Sequence, residues 1–235
     1  MAFTFRTERH RNDANNAELA VVPSGGGDIR VLTDNDAPES DPSWSPDGET
    51  LTFMAPDRQE WRLDQGNLYA MDLESGDTRQ LLADFQPAIG QYRWSPDGRS
   101  ILFTALDSTT SNLYRVRPGS GSEPRQISRH AGTVGSADFA FTGDGGRVAY
   151  TLETPTRPGD LYVADLPSGD DGRISPTRLT RANPDVETKS LATPEEVHWT
   201  SEDGTEIEGL LWRPPETDGG GRAAGWSSPG AFVVN

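Results

Sequence analysis

The sequence predicts an all-β fold built from repeated units of four antiparallel strands, and three observations carry this prediction. A Trp-Ser-Pro-Asp-Gly motif at 44–48 recurs unchanged at 94–98 and in degraded form, Phe-Thr-Gly-Asp-Gly, at 141–145. The leading aromatic residues of the three copies are therefore 50 and 47 residues apart. Short apolar segments follow each copy, and a Leu-Tyr pair marks each unit at 68–69, 113–114 and 161–162. Such a period, with strands this short, is typical of the blades of a partial β-propeller.

The second unit shows how the four strands are assigned. Alternating apolar residues predict a strand at 50–54, with Leu51 and Phe53 on one face. The turn before it, at 46–48, contains a proline that presets φ and a glycine that accepts the left-handed conformation. The strands predicted for this unit lie at 42–45, 50–54, 67–73 and 78–82.

Two later units repeat this order, and the amino-terminal segment repeats part of it. Strands are predicted at 93–95, 100–104, 112–116 and 124–128 in the third unit, and at 139–141, 147–151, 160–165 and 176–180 in the fourth. The strands at 1–5, 18–23 and 28–33 lack a preceding first strand, so the sequence is expected to begin within a blade. Three complete blades and one incomplete blade are thus predicted, at 1–33, 40–83, 90–129 and 134–180.

The composition limits the class of protein. With 235 residues, 33% of them hydrophobic, the chain is long enough for one all-β domain and a short appendage. The absence of cysteine excludes disulfides, a thiol nucleophile and cysteine-based metal sites. The net charge of −16 argues against nucleic acid as a partner, and no apolar run reaches membrane-spanning length. A cytoplasmic protein without membrane contact is expected.

Two explanations of the acidic composition are compatible with the sequence. Of the 21 basic residues only Lys189 is a lysine, which fits a GC-rich coding sequence and an ordinary acidic surface. A halophile-type surface, in which dense carboxylates keep the protein soluble in concentrated salt, would give the same composition. Melting in low and in molar salt separates the two, since equal stability rules out the second.

The repeats stop at Thr180, and a different pattern follows. Residues 181–193 are polar and contain Pro184, so they are predicted to form a linker. The segment 194–215 is predicted to be a β-hairpin that turns at 202–204 and whose return strand includes Trp212. The glycine-rich segment 216–235 is predicted to be a disordered tail.

The repeats and the hairpin together resemble the prolyl-oligopeptidase family of serine peptidases, especially its acylaminoacyl-peptidase and dipeptidyl-aminopeptidase-like branch. The resemblance covers roughly residues 1–215 and is most specific in the hairpin, which reads Ser-Glu-Asp-Gly-Thr-Glu-Ile-Glu-Gly-Leu-Leu-Trp-Arg-Pro-Pro from Ser201. It implies a propeller that covers the active site of an α/β-hydrolase domain, with the hairpin at the entry to that domain. The repeat motif alone also occurs in TolB-type scaffold propellers.

The catalytic residues that this resemblance implies are not in the sequence. There is no Gly-x-Ser-x-Gly nucleophile elbow, and a Ser-Asp-His triad of this family would lie entirely beyond residue 235. The tail is compatible with a frame-shifted or abruptly ended start of the hydrolase domain, and also with a genuine divergent terminus. No catalytic residue, no cofactor-binding residue and no metal ligand is therefore predicted.

Other polar groups are predicted to be structural. The histidines are too scattered along the sequence to suggest a metal cluster: they are His10, His130 and His198. The carboxylates of the repeated turns reflect turn geometry and not acid/base chemistry: they are Asp47, Asp97 and Asp144. The glycine runs at 25–27 and 119–121 are expected to be hairpin turns, and the basic run 6–11 a solvated loop.

Two functions from different classes follow. The first is a substrate-gating propeller of a serine peptidase that acts on short peptides, inactive without its catalytic domain. The second is a TolB-like scaffold that presents loops to protein partners, which explains the repeats but not the hairpin. No cofactor is expected. The chain alone is expected to self-associate through open blade edges, whereas monomeric elution with cooperative melting would contradict this.

Overall fold

The computed structural model describes residues 1–6, 17–35, 37–56, 66–119, 121, 123–130, 132–169 and 172–213. Strands dominate these residues, and a single 3-10 turn at Val186–Thr188 is the helical element among them. The strands are β1 (Ala2–Arg6), β2 (Ala17–Val21), β3 (Arg30–Val31), β4 (Ser40–Trp44), β5 (Thr50–Pro56), β6 (Gly66–Asp72), β7 (Thr78–Gln80), β8 (Ala88–Trp94), β9 (Ile101–Asp107), β10 (Thr110–Val116), β11 (Arg125–Gln126), β12 (Thr133–Phe141), β13 (Arg147–Thr154), β14 (Arg157–Asp165), β15 (Thr177–Arg178), β16 (Glu195–Thr200) and β17 (Glu206–Leu211). In the described part of the chain no helix is long and apolar enough to cross a membrane.

The strands pair with their neighbours in sequence, which confirms an all-β fold of propeller blades. Strands β4 to β7 form one antiparallel four-stranded sheet in that order. Strands β8 to β11 and β12 to β15 repeat the arrangement, while β1 to β3 form the incomplete, three-stranded unit. The hairpin β16–β17 is a separate two-stranded sheet.

The third and fourth units differ from the prediction in being joined. A single parallel bridge pairs Ser111 of β10 with Thr133 of β12, and the Ser111 amide donates to the Gly132 carbonyl at 3.3 Å. One bridge connects the two four-stranded units into an eight-stranded sheet without changing the strand order inside either unit.

The hydrophobic core is divided among the interfaces between successive units. One cluster joins Leu19 of the first unit to Leu51 and Phe53 of the second. The next two clusters pack the second unit on the third, and the third on the fourth. Their largest fully buried members include Leu68, Ile101, Phe103, Leu102, Leu113, Phe139 and Tyr150. Each sheet is therefore stabilised by burial against its neighbours, as in sheets stacked face to face.

The outermost strands of the third and fourth units are shorter than predicted, and side-chain hydrogen bonds explain where they end. Strand β11 has two residues where five were predicted, and β15 likewise. Two residues after the end of β11, the Oγ atom of Ser128 accepts a hydrogen bond from the Leu113 amide at 2.8 Å. In the fourth unit Thr180 Oγ1 accepts from the Leu161 amide at 2.9 Å. A hydroxyl thus takes the place of a backbone carbonyl, and the ladder ends there.

The first strands are longer than predicted at their amino ends, and each contains a shift of register. The shifts lie between Ser40 and Ser43 in β4, between Ile89 and Tyr92 in β8, and between Val134 and Phe139 in β12. A bulge of this kind bends the strand and redirects its side chains. Beyond each bulge, at the amino ends of β4, β8 and β12, the strand continues through residues that the alternation of the sequence does not mark as a strand.

Candidate functional site

The repeated turns are closed by a hydrogen-bonded clasp that involves each turn carboxylate. In the second unit Ser45 Oγ donates to Asp47 Oδ1 at 2.5 Å, and the Glu49 amide donates to the same oxygen at 3.1 Å. The Thr50 amide donates back to Ser45 Oγ at 2.9 Å. Gly48 has φ 78°, a left-handed conformation that favours glycine. One oxygen of the carboxylate, Oδ1, therefore holds the turn.

The same clasp recurs in the third and fourth units and, unexpectedly, in the hairpin. Asp97 accepts from Ser95 Oγ, and Asp144 accepts from Thr142 Oγ1. Asp203 accepts from Ser201 Oγ and from the Thr205 amide. These donors lower the pKa of all four turn aspartates, with the hydroxyl group as the largest cause, and that of Asp203 falls to about 2. Carboxylates held ionised in this way are poor proton donors, in keeping with a structural role.

A groove of about 730 Å³ lies between the first strands of the second and third units, β4 and β8. Its lining is mixed polar and apolar: Ser40, Asp41, Pro42, Ser43, Met54, Gly66, Ala88, Ile89, Gly90, Gln91, Tyr92, Arg93, Thr104, Leu106 and Ser111. Both register shifts of β4 and β8 fall within this lining. Among the described strands, each of these two pairs with a single neighbour, β4 with β5 and β8 with β9.

Contacts across the groove hold its two walls together. The Tyr92 hydroxyl donates to the Asp41 carbonyl at 2.5 Å, and burial raises the pKa of this phenol. Asp41 has φ 51°, which is uncommon for a residue other than glycine. A Cβ added at Gly90 would lie 2.6 Å from Thr104 Oγ1, which itself accepts from the Gln91 amide. The backbone of the bulge is therefore packed tightly on the neighbouring strand.

One hydrogen bond links the closing hairpin to the third unit among the described residues. The Thr109 amide, in the turn between β9 and β10, donates to Glu208 Oε1 of β17 at 3.1 Å. Trp199 of β16 lies over Gly209, where an added Cβ would come within 3.0 Å of the indole ring. The strands β16 and β17 confirm the predicted hairpin, although β17 ends at Leu211 and does not include Trp212.

The described histidines lie in different environments. His130 Nε2 is 2.9 Å from the Tyr150 hydroxyl, and burial lowers the pKa of this imidazole. His198 Nε2 is 2.8 Å from Glu196 Oε1, and both are exposed on the hairpin. Sequence reasoning compared the histidines only with one another and overlooked the glutamates beside His198. His10 and most of the basic run 6–11 lie outside the described residues.

Sequence reasoning also missed a buried polar cluster that ties the linker to the fourth unit. Asp160 is 3% exposed and accepts from Arg178 Nη2 at 2.5 Å, from Thr180 Oγ1 and from the Ala182 amide. Arg178 Nη1 also pairs with Glu187 Oε1 at 2.5 Å. The sequence did contain a signal for this cluster. A polar residue comes directly before the Leu-Tyr pair of each unit, Asp160 in the fourth and Asn112 in the third. In the third unit Asn112 Oδ1 accepts from Ser128 Oγ in the same way.

Within the described residues, this geometry favours recognition over chemistry. The groove offers strand edges, hydroxyl groups and the exposed Arg93, whereas the turn aspartates and Asp160 are engaged in structural hydrogen bonds. The predicted domain limits stay predictions, and the tail 216–235 and the prolines 214 and 215 lie outside the described residues.

Comparison with known proteins places the fold. A curated TolB protein of the Tol-Pal system from Novosphingobium aromaticivorans is 38% identical over 66 residues, which is 28% of this chain and 14% of that protein. The solved TolB of Acinetobacter baumannii matches 91% of this chain and 47% of its own, with 22% identity and a TM-score of 0.57. The acylaminoacyl peptidase of Pyrococcus horikoshii matches 93% of this chain and 31% of its own, with 20% identity and a TM-score of 0.66.

These likenesses show that TolB proteins and peptidases share this propeller fold, and the chain spans less than half the length of either solved relative. The model of the TolB β-propeller domain matches residues 1–194, which is most of the chain and includes all four units. The chain belongs to the TolB β-propeller domain family.

Proposed function

We propose that this chain is the substrate-gating propeller of a serine peptidase that acts on short peptides, and that catalysis requires a hydrolase domain outside this sequence. The observation that carries the proposal is the hairpin. Strands β16 and β17 follow the last unit, form a separate sheet and bond to the third unit through Glu208 and Thr109. The fold likeness to an acylaminoacyl peptidase supports this assignment.

The groove is suited to a short, extended peptide. Its volume of about 730 Å³ lies in the range of ligand sites, and β4 and β8 each have an edge that pairs with no described strand and to which an extended chain could add. The hydrogen bond from the Tyr92 hydroxyl to the Asp41 carbonyl, at 2.5 Å, links the two walls of this groove. Selection of short peptides is part of the proposal.

The experiment begins with the DNA downstream of this coding sequence, read in all frames. A Gly-x-Ser-x-Gly elbow supports the proposal, and the joined protein should cleave short blocked peptides but not casein. Clean intergenic sequence, or fluorophosphonate labelling of a serine in the isolated chain, contradicts the proposal.

The second candidate is a TolB-like scaffold that binds protein partners. It is favoured by the TolB domain match over residues 1–194 and by the 38% identity to a Tol-Pal system TolB. Under this proposal the isolated chain should bind a folded partner protein with a 1:1 stoichiometry, and Arg93→Ala in the groove should leave that binding unchanged. Absence of the nucleophile elbow together with such a complex would select the scaffold.

A further inference from the structure

The closing hairpin brings one nitrogen and two carboxylate ligands together on a single face. His198 of β16 pairs directly with Glu208 of β17, and Glu196 lies two residues before His198, so all three side chains project from the same face. The His198 Nε2 and one carboxylate oxygen from each glutamate lie within 4.8 Å of one another. These are three potential metal ligands, supplied by two strands in register.

The charge on this face is unbalanced. The six residues that share it are Glu196, His198, Thr200, Glu206, Glu208 and Leu210. Three of these are carboxylates and none is lysine or arginine. Arg213 pairs instead with Glu195, which belongs to the opposite face. Carboxylates close together on a ladder destabilise it, and a bound cation would remove this repulsion.

We propose that Glu196, His198 and Glu208 bind a divalent transition metal ion of the zinc class. An imidazole nitrogen with two carboxylate oxygens suits zinc, whereas calcium and magnesium prefer oxygen ligands alone. Metal–ligand bonds near 2.1 Å place tetrahedral ligand atoms about 3.4 Å apart. The ligand atoms of His198 and Glu196 are already closer than this, at 2.8 Å, and rotation of exposed side chains brings in the third. Water supplies the remaining position.

A further contact orients one of the ligands. The Thr109 amide donates to Glu208 Oε1, and a carboxylate held in this way keeps its second oxygen for the metal. The ion would therefore cross-link β16 to β17 and, through Glu208, stabilise the docking of the hairpin on the third unit. This inference does not depend on the peptidase proposal, because all of its ligands and contacts lie within this chain.

The test is a zinc titration of the tag-free full chain after treatment with EDTA, followed by calorimetry. One zinc ion is expected to bind per chain and to raise the melting temperature. E196Q, H198N and E208Q are each expected to weaken binding by about tenfold or more. E208Q retains an oxygen that accepts from Thr109, so its melting without metal should remain close to that of the native chain.

Two control variants make the assignment specific. E202Q removes the same charge from the exposed turn of this hairpin, and H10N removes another histidine, so both should bind zinc as the native chain does. The cobalt complex should show visible absorption that H198N abolishes. Absence of zinc binding, or native affinity in H198N, would overturn the proposal.

Discussion

The indole Nε1–H of Trp94 donates to Thr52 Oγ1 at 2.9 Å across the interface between the second and third units. Thr52 is fully buried and donates in turn to the Ser43 carbonyl at 3.0 Å. At the corresponding positions of the next interface stand Phe141 and Leu102, which pack in one hydrophobic cluster. The donor and the acceptor are thus replaced together, so neither interface leaves a buried polar partner unpaired.

This relationship predicts non-additive effects of substitution. T52L alone should lower the free energy of unfolding by about 1–3 kcal/mol, because it leaves the Trp94 indole N–H without its acceptor. In the double variant W94F/T52L, which reproduces the apolar pairing of the next interface, the loss should be smaller than the sum of the single losses. Urea unfolding of the four chains of this cycle is the measurement. Strict additivity would show that the two side chains are not coupled.

The turn aspartates predict that the protein loses stability at acidic pH. The pKa of Asp203 is lowered to about 2, and those of Asp47, Asp97 and Asp144 are also lowered. Because the pKa of these carboxyl groups is lower in the folded state, their ionised form stabilises the fold at pH values above the pKa of the unfolded state. This stabilisation is lost as the pH falls through the pKa of the folded state. The melting temperature should therefore fall between about pH 4 and pH 2. D203N should flatten this part of the pH profile, and an unchanged profile would contradict the assignment.

Glu39 predicts the opposite dependence on pH. It is 3% exposed, its pKa is raised chiefly by burial, and the nearby Glu18 carboxylate raises it further. The protonated form of Glu39 therefore stabilises the fold at pH values below the pKa of the unfolded state. This stabilisation is lost as the pH rises through the raised pKa of the folded state. E39Q removes this titration, so the melting temperature of E39Q relative to the native chain should rise as the pH is raised from 4 to 7. Thermal melts at the two pH values test this, with the exposed variant E49Q as control.

The buried cluster of Asp160 predicts a strong effect of one arginine. R178A removes the partner of a carboxylate that is 3% exposed, and it leaves Glu187 of the linker with only the longer, exposed ion pair to Arg181. R147A removes an ion pair with Asp165 whose side chains are 60% and 80% exposed, a change that should cost less than about 1 kcal/mol. R178A should therefore lower the melting temperature several times more than R147A. Equal effects would show that the linker is not fastened by this cluster.

Much of the fold could be predicted because its signals are local. The Trp-Ser-Pro-Asp-Gly motif contains both the turn residues and the side chains of the clasp, so the short-range hydrogen bonds of Ser45 and Asp47 follow from adjacent positions. Central strands such as β5 and β9 begin within one residue of the predicted start, although they end two and three residues later than predicted and are buried continuously, without alternation, over five residues. The prediction was less accurate at the outermost strands, where Ser128 and Thr180 end the ladder by a side-chain contact that has no periodic signal.

The candidate sites depend on contacts between residues that are distant in sequence. The groove requires the register shifts of β4 and β8 to face each other, and periodicity cannot locate a bulge. The pairing of His198 with Glu208 could have been inferred from the turn of the hairpin, since an antiparallel register follows from the turn position. The bond from Thr109 to Glu208 spans 99 residues, and no local pattern indicates it.

By itself the sequence determined the repeat, the strand order within a unit and the chemistry of the turns, because these depend on neighbours along the chain. The tertiary structure decided how the units share their core, how the linker and hairpin are fastened and which charges meet. The physical reason is that burial and charge pairing act through space. Buried groups such as Asp160 and Glu39 therefore acquire their properties only from the units packed around them.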